Sequence, residues 1–150
     1  KGNITVTCGT LSQVISVSQL GASTGDQTVM EATISFADKA NRTSYSTSQQ
    51  IWEQNGIKVT NDKGASTTDV GDYAAPARFY KSSNVTIEAP GAILSITVDC
   101  SGLDAKYTTA WGTVENGIVT ISCDGTSNTY TINALSAQAR ANAITVTYLK

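Results

Sequence analysis

The stretch LSITVDC at residues 94–100 alternates strictly between apolar and polar side chains. In an extended chain, successive side chains point to opposite faces, so the four apolar residues would share one face and the three polar residues the other. This pattern predicts a β-strand that buries one face and leaves the other in contact with water. Leu94 and Cys100 mark the two ends of the predicted buried row.

The same alternation recurs along the rest of the chain. It is found at residues 4–8, 32–36, 57–59, 77–79, 85–89, 119–123, 130–132 and 144–148. Together these stretches predict roughly nine short strands, and they are rich in the β-branched residues that suit a pleated sheet.

Turn-forming residues separate the predicted strands. Asn55-Gly56, Asn116-Gly117 and Asp124-Gly125 are typical of hairpin turns, and Pro90-Gly91 predicts a further tight turn. Many short strands with turns at this spacing, and no alternation of strands with long helices, predict an all-β antiparallel sandwich of jelly-roll-like form.

One segment has helical features. Ser46–Gln49 matches a capping box, so residues 50–54 are expected to form a turn or two of helix. We therefore expect at most one or two short helical turns in the fold. A length of 150 residues suits a single domain. Whether residues 1–25 complete this domain is left open.

The composition limits the classes of partner. Only 15% of residues are charged, the formal net charge is −2 and the charges are scattered, which argues against nucleic acid or anionic lipid. No stretch approaches the roughly 18 apolar residues of a membrane span. A surface built from Thr, Ser, Asn and Gln is typical of secreted bacterial β-proteins. We expect an extracellular or cell-surface piece of a larger multidomain chain.

The sequence offers no catalytic constellation. It contains no histidine, which excludes Ser-His-Asp and Cys-His nucleophile systems. The four glutamates, Glu31, Glu53, Glu88 and Glu115, show no pairing of the kind a glycosidase needs. We therefore expect that the protein is not an enzyme.

Several blocks occur in a recognisable order from residue 31 onward. They are NRTS (41–44), QQIWEQNGI (49–57), TNDK (60–63), DYAAPARFYK (72–81) and AQARANAITVTY (137–148). Over about residues 31–150 the chain resembles a recurring β-sandwich accessory module, similar to carbohydrate-binding modules, of secreted multidomain proteins from gut bacteria. The resemblance implies an accessory module appended to glycan-active or surface-attached proteins, with no catalytic residues.

Aromatic side chains are the leading candidates for a glycan site, since the C–H-rich face of a sugar packs on an aromatic ring. One candidate platform is Trp111 with Tyr107, and the other is Tyr73 with Trp52. The candidate polar partners are Asp72, Asn61, Lys63 and Arg78. Each tryptophan has an alternative role as a buried core residue. Arg78 is expected on the wet face of its strand, opposite Phe79, where it serves sugar hydroxyls or forms a cross-strand pair.

Two further predictions concern a metal ion and a disulfide. Asp62, Asp69 and Asp72 concentrate oxygen atoms in the long polar loop of residues 61–75, which is a possible site for structural calcium, although its spacing is not that of an EF-hand. Cys100 and Cys123 each end an inward-facing strand pattern, so a disulfide between them is one possibility. Free buried cysteines are the other.

Two hypotheses for function follow. In the first, the chain is a non-catalytic carbohydrate-binding module of an extracellular bacterial protein, and it holds a polysaccharide or other glycan on exposed aromatic rings. In the second, it is a structural or adhesive module, displayed on a cell surface or virion, that binds no glycan. Exposed tryptophan rings would favour the first hypothesis, and two buried tryptophans would remove its main support.

Overall fold

The computed structural model describes the backbone of residues 2–8, 11–17 and 27–150, and the side chains from residue 27 onward. These parts form fourteen strands: β1 (Gly2–Cys8), β2 (Leu11–Val17), β3 (Val29–Ser35), β4 (Arg42–Tyr45), β5 (Gln49–Gln54), β6 (Ile57–Asp62), β7 (Ala77–Phe79), β8 (Asn84–Glu88), β9 (Ala92–Asp99), β10 (Val114–Glu115), β11 (Ile118–Ser122), β12 (Thr129–Ile132), β13 (Ala139–Ala141) and β14 (Ala143–Leu149). The described helical structure comprises two 3₁₀ turns, Lys39–Asn41 and Ala105–Tyr107.

Two five-stranded antiparallel sheets pack against each other. The first sheet has the order β10-β11-β9-β14-β3 and the second the order β12-β8-β6-β5-β4. The chain passes between them after β3, β8 and β11, and again from β12 through β13 to β14, in a jelly-roll-like manner. A short ribbon of β7 and β13 and a hairpin of β1 and β2 form separate two-stranded sheets. The predicted all-β antiparallel sandwich with at most two short helical turns is confirmed.

Strand β9 contains the stretch that decides the fold. Ile96 and Val98 are fully buried between the sheets, and Cys100 follows them into the core. Near the start of the strand the alternation changes phase, and Ile93 takes the inward place predicted for Leu94. The cause is an irregularity in the pairing of β14 with β9 between Thr147 and Tyr148.

A row of four aromatic rings runs through the core. Trp52 meets Phe36 with ring centroids 5.2 Å apart, Phe36 meets Phe79 at 5.9 Å, and Phe79 meets Trp111 at 5.1 Å. All three contacts are edge-to-face, which is a favoured geometry for aromatic pairs. The row therefore joins the second sheet, the ribbon and the loop after β9 into one core.

The turn predictions have mixed outcomes. Asn55-Gly56 and Asn116-Gly117 have positive φ at both residues and close the β5–β6 and β10–β11 hairpins, as predicted. Asp124-Gly125 is not a hairpin turn, because it carries the chain from β11 in the first sheet to β12 in the second. Pro90-Gly91 makes a similar passage from β8 to β9.

The predicted helical turn at residues 50–54 is wrong. Residues 49–54 form strand β5, which pairs with both β4 and β6. The Ser46 hydroxyl accepts from the backbone N–H groups of Ser48 and Gln49, so the apparent capping box is a turn that precedes a strand. Gln50 and Trp52 are both buried, which is the period of a strand.

The predicted disulfide is also wrong, since Cys100 and Cys123 are free thiols. Strand β9 pairs antiparallel with β11. Cys100 follows one end of this pair, whereas the backbone N–H of Cys123 donates a hydrogen bond to the Leu94 carbonyl at the opposite end. Six residues of extended strand separate Leu94 from Cys100, or about 20 Å at 3.3 Å per residue. A disulfide needs its Cα atoms roughly 4.4–6.8 Å apart, so the bond cannot form.

The long loop between β6 and β7 is held to the sandwich. Val70 is buried, and its N–H donates to the Thr47 carbonyl while its own carbonyl accepts from the Tyr45 hydroxyl at 3.1 Å. Ala75 N–H donates to the Phe36 carbonyl. The loop therefore presents its side chains from a fixed backbone. Among the described residues, no helix has the length and apolar character needed to cross a membrane.

Candidate functional site

The ribbon of β7 and β13 carries two arginines side by side. In its antiparallel register Arg78 lies directly opposite Arg140. Their neighbours Ala77, Phe79, Ala139 and Ala141 are all fully buried. Because side chains alternate along a strand, both arginines point away from the core and onto one face of the ribbon.

A tyrosine ring covers each guanidinium. The Arg78 guanidinium carbon lies 3.6 Å from the centroid of the Tyr73 ring, and that of Arg140 lies 3.5 Å from the Tyr107 ring. These distances correspond to cation–π stacking. Tyr73 comes from the loop before β7 and is 40% exposed, while Tyr107 ends a 3₁₀ turn that contacts β13. We call Tyr73, Arg78, Arg140 and Tyr107 the Tyr–Arg site.

Buried groups fix the backbone behind the two arginines. The Trp111 indole N–H donates to the carbonyl of Arg140 at 2.8 Å, and the Asn61 amide donates to the carbonyl of Arg78 at 3.2 Å. Trp111 is 5% exposed and Asn61 is fully buried. Both were predicted as ligand contacts, and both instead support the strands that carry the Tyr–Arg site.

The predicted exposed tryptophan platforms are wrong. Trp52 is fully buried and Trp111 nearly so, because both belong to the aromatic row of the core. Trp111 does lie in a loop, as expected, but this loop folds inward over Phe79. Tyr73 and Tyr107 remain, and the structure brings these two candidates to a single ribbon rather than to two separate platforms.

Two predicted polar partners are engaged in ion pairs. Asp72 pairs with Lys39 at 2.9 Å and with Arg42 at 2.6 Å, and hydrogen bonds from these two cations hold the pKa of Asp72 below its ordinary value. Lys63 pairs with Asp69 at 2.6 Å. Asp72 and Lys63 therefore have partners of their own within this part of the chain.

The three candidate calcium ligands do not converge. Asp62 accepts from the Gly64 N–H and the Gln49 amide, whereas Asp69 and Asp72 pair with the cations named above. Among residues 27–150, no three acidic, cysteine or histidine side chains are grouped in a way that would hold a metal ion. Each carboxylate has its own local partner instead of a shared centre.

A polar cleft adjoins the Tyr–Arg site. It has a volume of about 450 Å³ and is lined by Ala65, Ser66, Thr67, Thr68, Tyr80, Lys81, Ser82 and Gln138. Tyr80 directly follows β7 and Gln138 directly precedes β13, so the cleft lies against one end of the ribbon that carries the arginines. The Tyr73 ring and the Tyr80 hydroxyl meet over Gly71, where a Cβ atom would lie 2.6 Å from the ring and 3.1 Å from the hydroxyl.

Sequence reasoning missed Arg140 and the cleft. A signal for Arg140 was present, because Ala-Arg-Phe at 77–79 and Ala-Arg-Ala at 139–141 each place an arginine between two apolar residues. The pairing of these two segments was not visible in the sequence. No protein-family model, no curated protein and no solved structure matches the chain. Functional inference therefore starts from the chemistry of the site.

Proposed function

We propose that the chain is a non-catalytic carbohydrate-binding module of an extracellular bacterial protein, with its glycan held at the Tyr–Arg site and the adjoining cleft. The observation that carries this proposal is the Tyr73 ring, which is 40% exposed and stacked on Arg78 beside a hydroxyl-lined cleft of about 450 Å³. Clefts of roughly 300–1,000 Å³ are the usual size for small-molecule sites.

The side chains of the cleft suit sugar hydroxyls. Hydroxyl groups such as those of Thr67 and Thr68 both donate and accept, and the Gln138 amide does the same. The Tyr73 ring lies close to the same point above Gly71 as the hydroxyl of Tyr80, which lines the cleft, and it offers an apolar surface to the C–H groups of a sugar. Since the loop that carries Tyr73 is fixed by backbone hydrogen bonds, little ordering would accompany binding.

A glycan array, followed by affinity electrophoresis in soluble polysaccharides, tests the proposal. We expect binding to one class of glycan, and a loss of at least about tenfold in affinity for Tyr73→Ala, since a stacking surface is removed. The matched control is Tyr130→Ala, because Tyr130 lines a separate cleft of about 340 Å³ near Cys123. If only Tyr130→Ala loses affinity for the glycan, the glycan binds in the cleft near Cys123 and not at the Tyr–Arg site.

A structural or adhesive module without glycan binding is the second candidate. The burial of both tryptophans favours it, because it removes the two largest rings from any sugar platform. This candidate predicts no binding by the unmodified protein anywhere on the array. In that case the search turns to protein partners of the larger chain.

A further inference from the structure

The electrostatics of the arginine pair are unusual within this protein. Arg78 and Arg140 are directly opposite each other on neighbouring strands, where side chains have Cβ atoms about 5 Å apart and like charges are destabilising. Both side chains are partly buried, so water screens their repulsion less than it would at an open surface. Nothing in the pairing of the two strands itself compensates for this repulsion.

Five of the seven other cations of residues 27–150 have acidic partners, and the two without an ion pair there are Lys81, which lines the cleft, and Lys150. Ion pairs of residues 27–150 use Lys39, Arg42, Lys58, Lys63 and Lys106. Arg78 and Arg140 have no carboxylate within ion-pair distance among these residues. The pKa of Asp104 is lowered, mainly by hydrogen bonds from Lys106, with which Asp104 forms an ion pair at 3.2 Å. The positive charge of Arg140 makes only a small contribution to this lowering.

The donors of the pair are also unfilled. The Nε atoms of Arg78 and Arg140 are buried and have no hydrogen-bond partner in the described part of the chain, whereas their terminal nitrogens are not buried in this way. The stacked tyrosine rings fix the planes of both guanidinium groups. A guanidinium held in one plane can offer its two terminal nitrogens to a planar carboxylate or to a sulfate group in a bidentate manner.

From these observations we infer that Arg78 and Arg140 bind an anionic substituent of the glycan, a carboxylate or a sulfate ester, so that the site selects acidic over neutral saccharides. The inference rests on the proposed function. The anion neutralises the two opposed charges and accepts hydrogen bonds from their terminal nitrogens, while the sugar ring extends past Tyr80 and Gln138 into the cleft. A neutral saccharide of the same shape leaves the repulsion and the empty donors in place.

The test uses pairs of saccharides that share a backbone, one with the anionic group free and the other with it esterified or removed. For the carboxylate, oligogalacturonate is compared with its methyl ester by calorimetry at about 0.15 M NaCl, where long-range attraction is screened. For the sulfate ester, carrageenan oligosaccharides are compared with the same oligosaccharides after chemical desulfation. We expect at least one acidic member to bind at least about tenfold more tightly than its neutral partner, and the arm that responds identifies the anion.

Variants then assign the effect to the arginine pair. Arg78→Gln and Arg140→Gln should each lower the affinity for the acidic ligand at least about tenfold, while Lys58→Gln, which also removes one positive charge, should leave it unchanged. Arg78→Lys keeps the charge but loses the planar fork, and it should also weaken binding. Gly71→Ala displaces the Tyr73 ring without altering either arginine, and it should weaken binding of the acidic ligand too.

The outcomes separate this inference from the proposed function. If neutral and acidic partners bind equally, or if the arginine variants bind the acidic ligand as well as the unmodified protein does, the inference is wrong and the proposed function stands. If no saccharide of either kind binds, both are wrong. Thermal unfolding of each variant shows whether it is folded, and Arg78→Lys provides a milder test should Arg78→Gln fail to fold.

Discussion

Trp111 connects the core to the Tyr–Arg site. Its ring packs edge-to-face on Phe79, and its indole N–H donates to the carbonyl of Arg140. We expect Trp111→Ala to lower the free energy of unfolding by about 3–5 kcal/mol, because it leaves a large cavity in the core. Urea denaturation measures this loss.

A second Trp111 variant separates packing from hydrogen bonding. Trp111→Phe keeps an aromatic ring but removes the donor to Arg140, so it should lower the free energy of unfolding by less than the alanine change does. About 1 kcal/mol of this loss comes from the missing hydrogen bond, and the rest comes from the smaller ring. Equal stability of Trp111→Ala and the unmodified protein would mean that the ring does not fill the core as described.

Cys100 makes stability depend on pH in the alkaline range. Burial, with a smaller contribution from the Asp99 charge, raises the pKa of its thiol from 9.0 to about 11. The unfolded chain therefore loses this proton first as the pH rises. The stabilisation is fully present below pH 9 and is lost as the pH rises through the folded-state pKa.

The variant Cys100→Ala isolates this effect from that of other groups. The difference in unfolding free energy between the unmodified protein and Cys100→Ala should shrink between about pH 8 and about pH 10.5. Urea titrations at the two pH values measure it, and the other alkaline groups, including Cys123, cancel in the comparison. A difference that does not change with pH would contradict the raised pKa.

At the level of strands, period-two alternation predicted the central elements well. Strand β9 and its partner β14 were readable because Ile96, Val98, Ile144 and Val146 alternate with polar residues and all four are buried. Strand β5 was missed because one of its inward residues is Gln50, a polar side chain that is fully buried and has no hydrogen-bond partner among the described residues. An apolar residue at that position would have revealed the strand.

The passage from β8 to β9 depends on a glycine for steric reasons. A Cβ atom on Gly91 would overlap the carbonyl oxygen of Leu149 at the end of β14. Gly91→Ala should therefore push β14 away from β9, and we expect it to lower the free energy of unfolding by about 2 kcal/mol or more.

Gly102→Ala is the matched control for that change. Gly102 has a φ of +71° and open space around it, so an alanine there meets only backbone strain, at a cost of about 1 kcal/mol. Chemical denaturation of both variants gives the comparison. If Gly91→Ala lowers the free energy of unfolding no more than Gly102→Ala does, then Gly91 does not approach the Leu149 carbonyl as closely as described.

On the scale of the whole molecule, the sequence predicted the members of the site better than its assembly. Tyr73 and Tyr107 were assigned to two different platforms, each with a tryptophan, and Arg78 was a candidate polar partner. Arg140 lies far along the chain from Arg78, and only the pairing of β7 with β13 makes them adjacent. Such long-range pairing depends on the packing of both sheets, which no local pattern encodes.

Strand β3 begins beside the point where β14 ends. Thr28, just before β3, and Lys150, just after β14, exchange both backbone hydrogen bonds, at 2.9 and 3.0 Å. A pulling force applied at these two residues would break the hydrogen bonds between β3 and β14 one after another, in an unzipping geometry. In a shear geometry all of these hydrogen bonds would bear the force together. The β3–β14 pair would therefore separate at a lower force than the same pair pulled in shear.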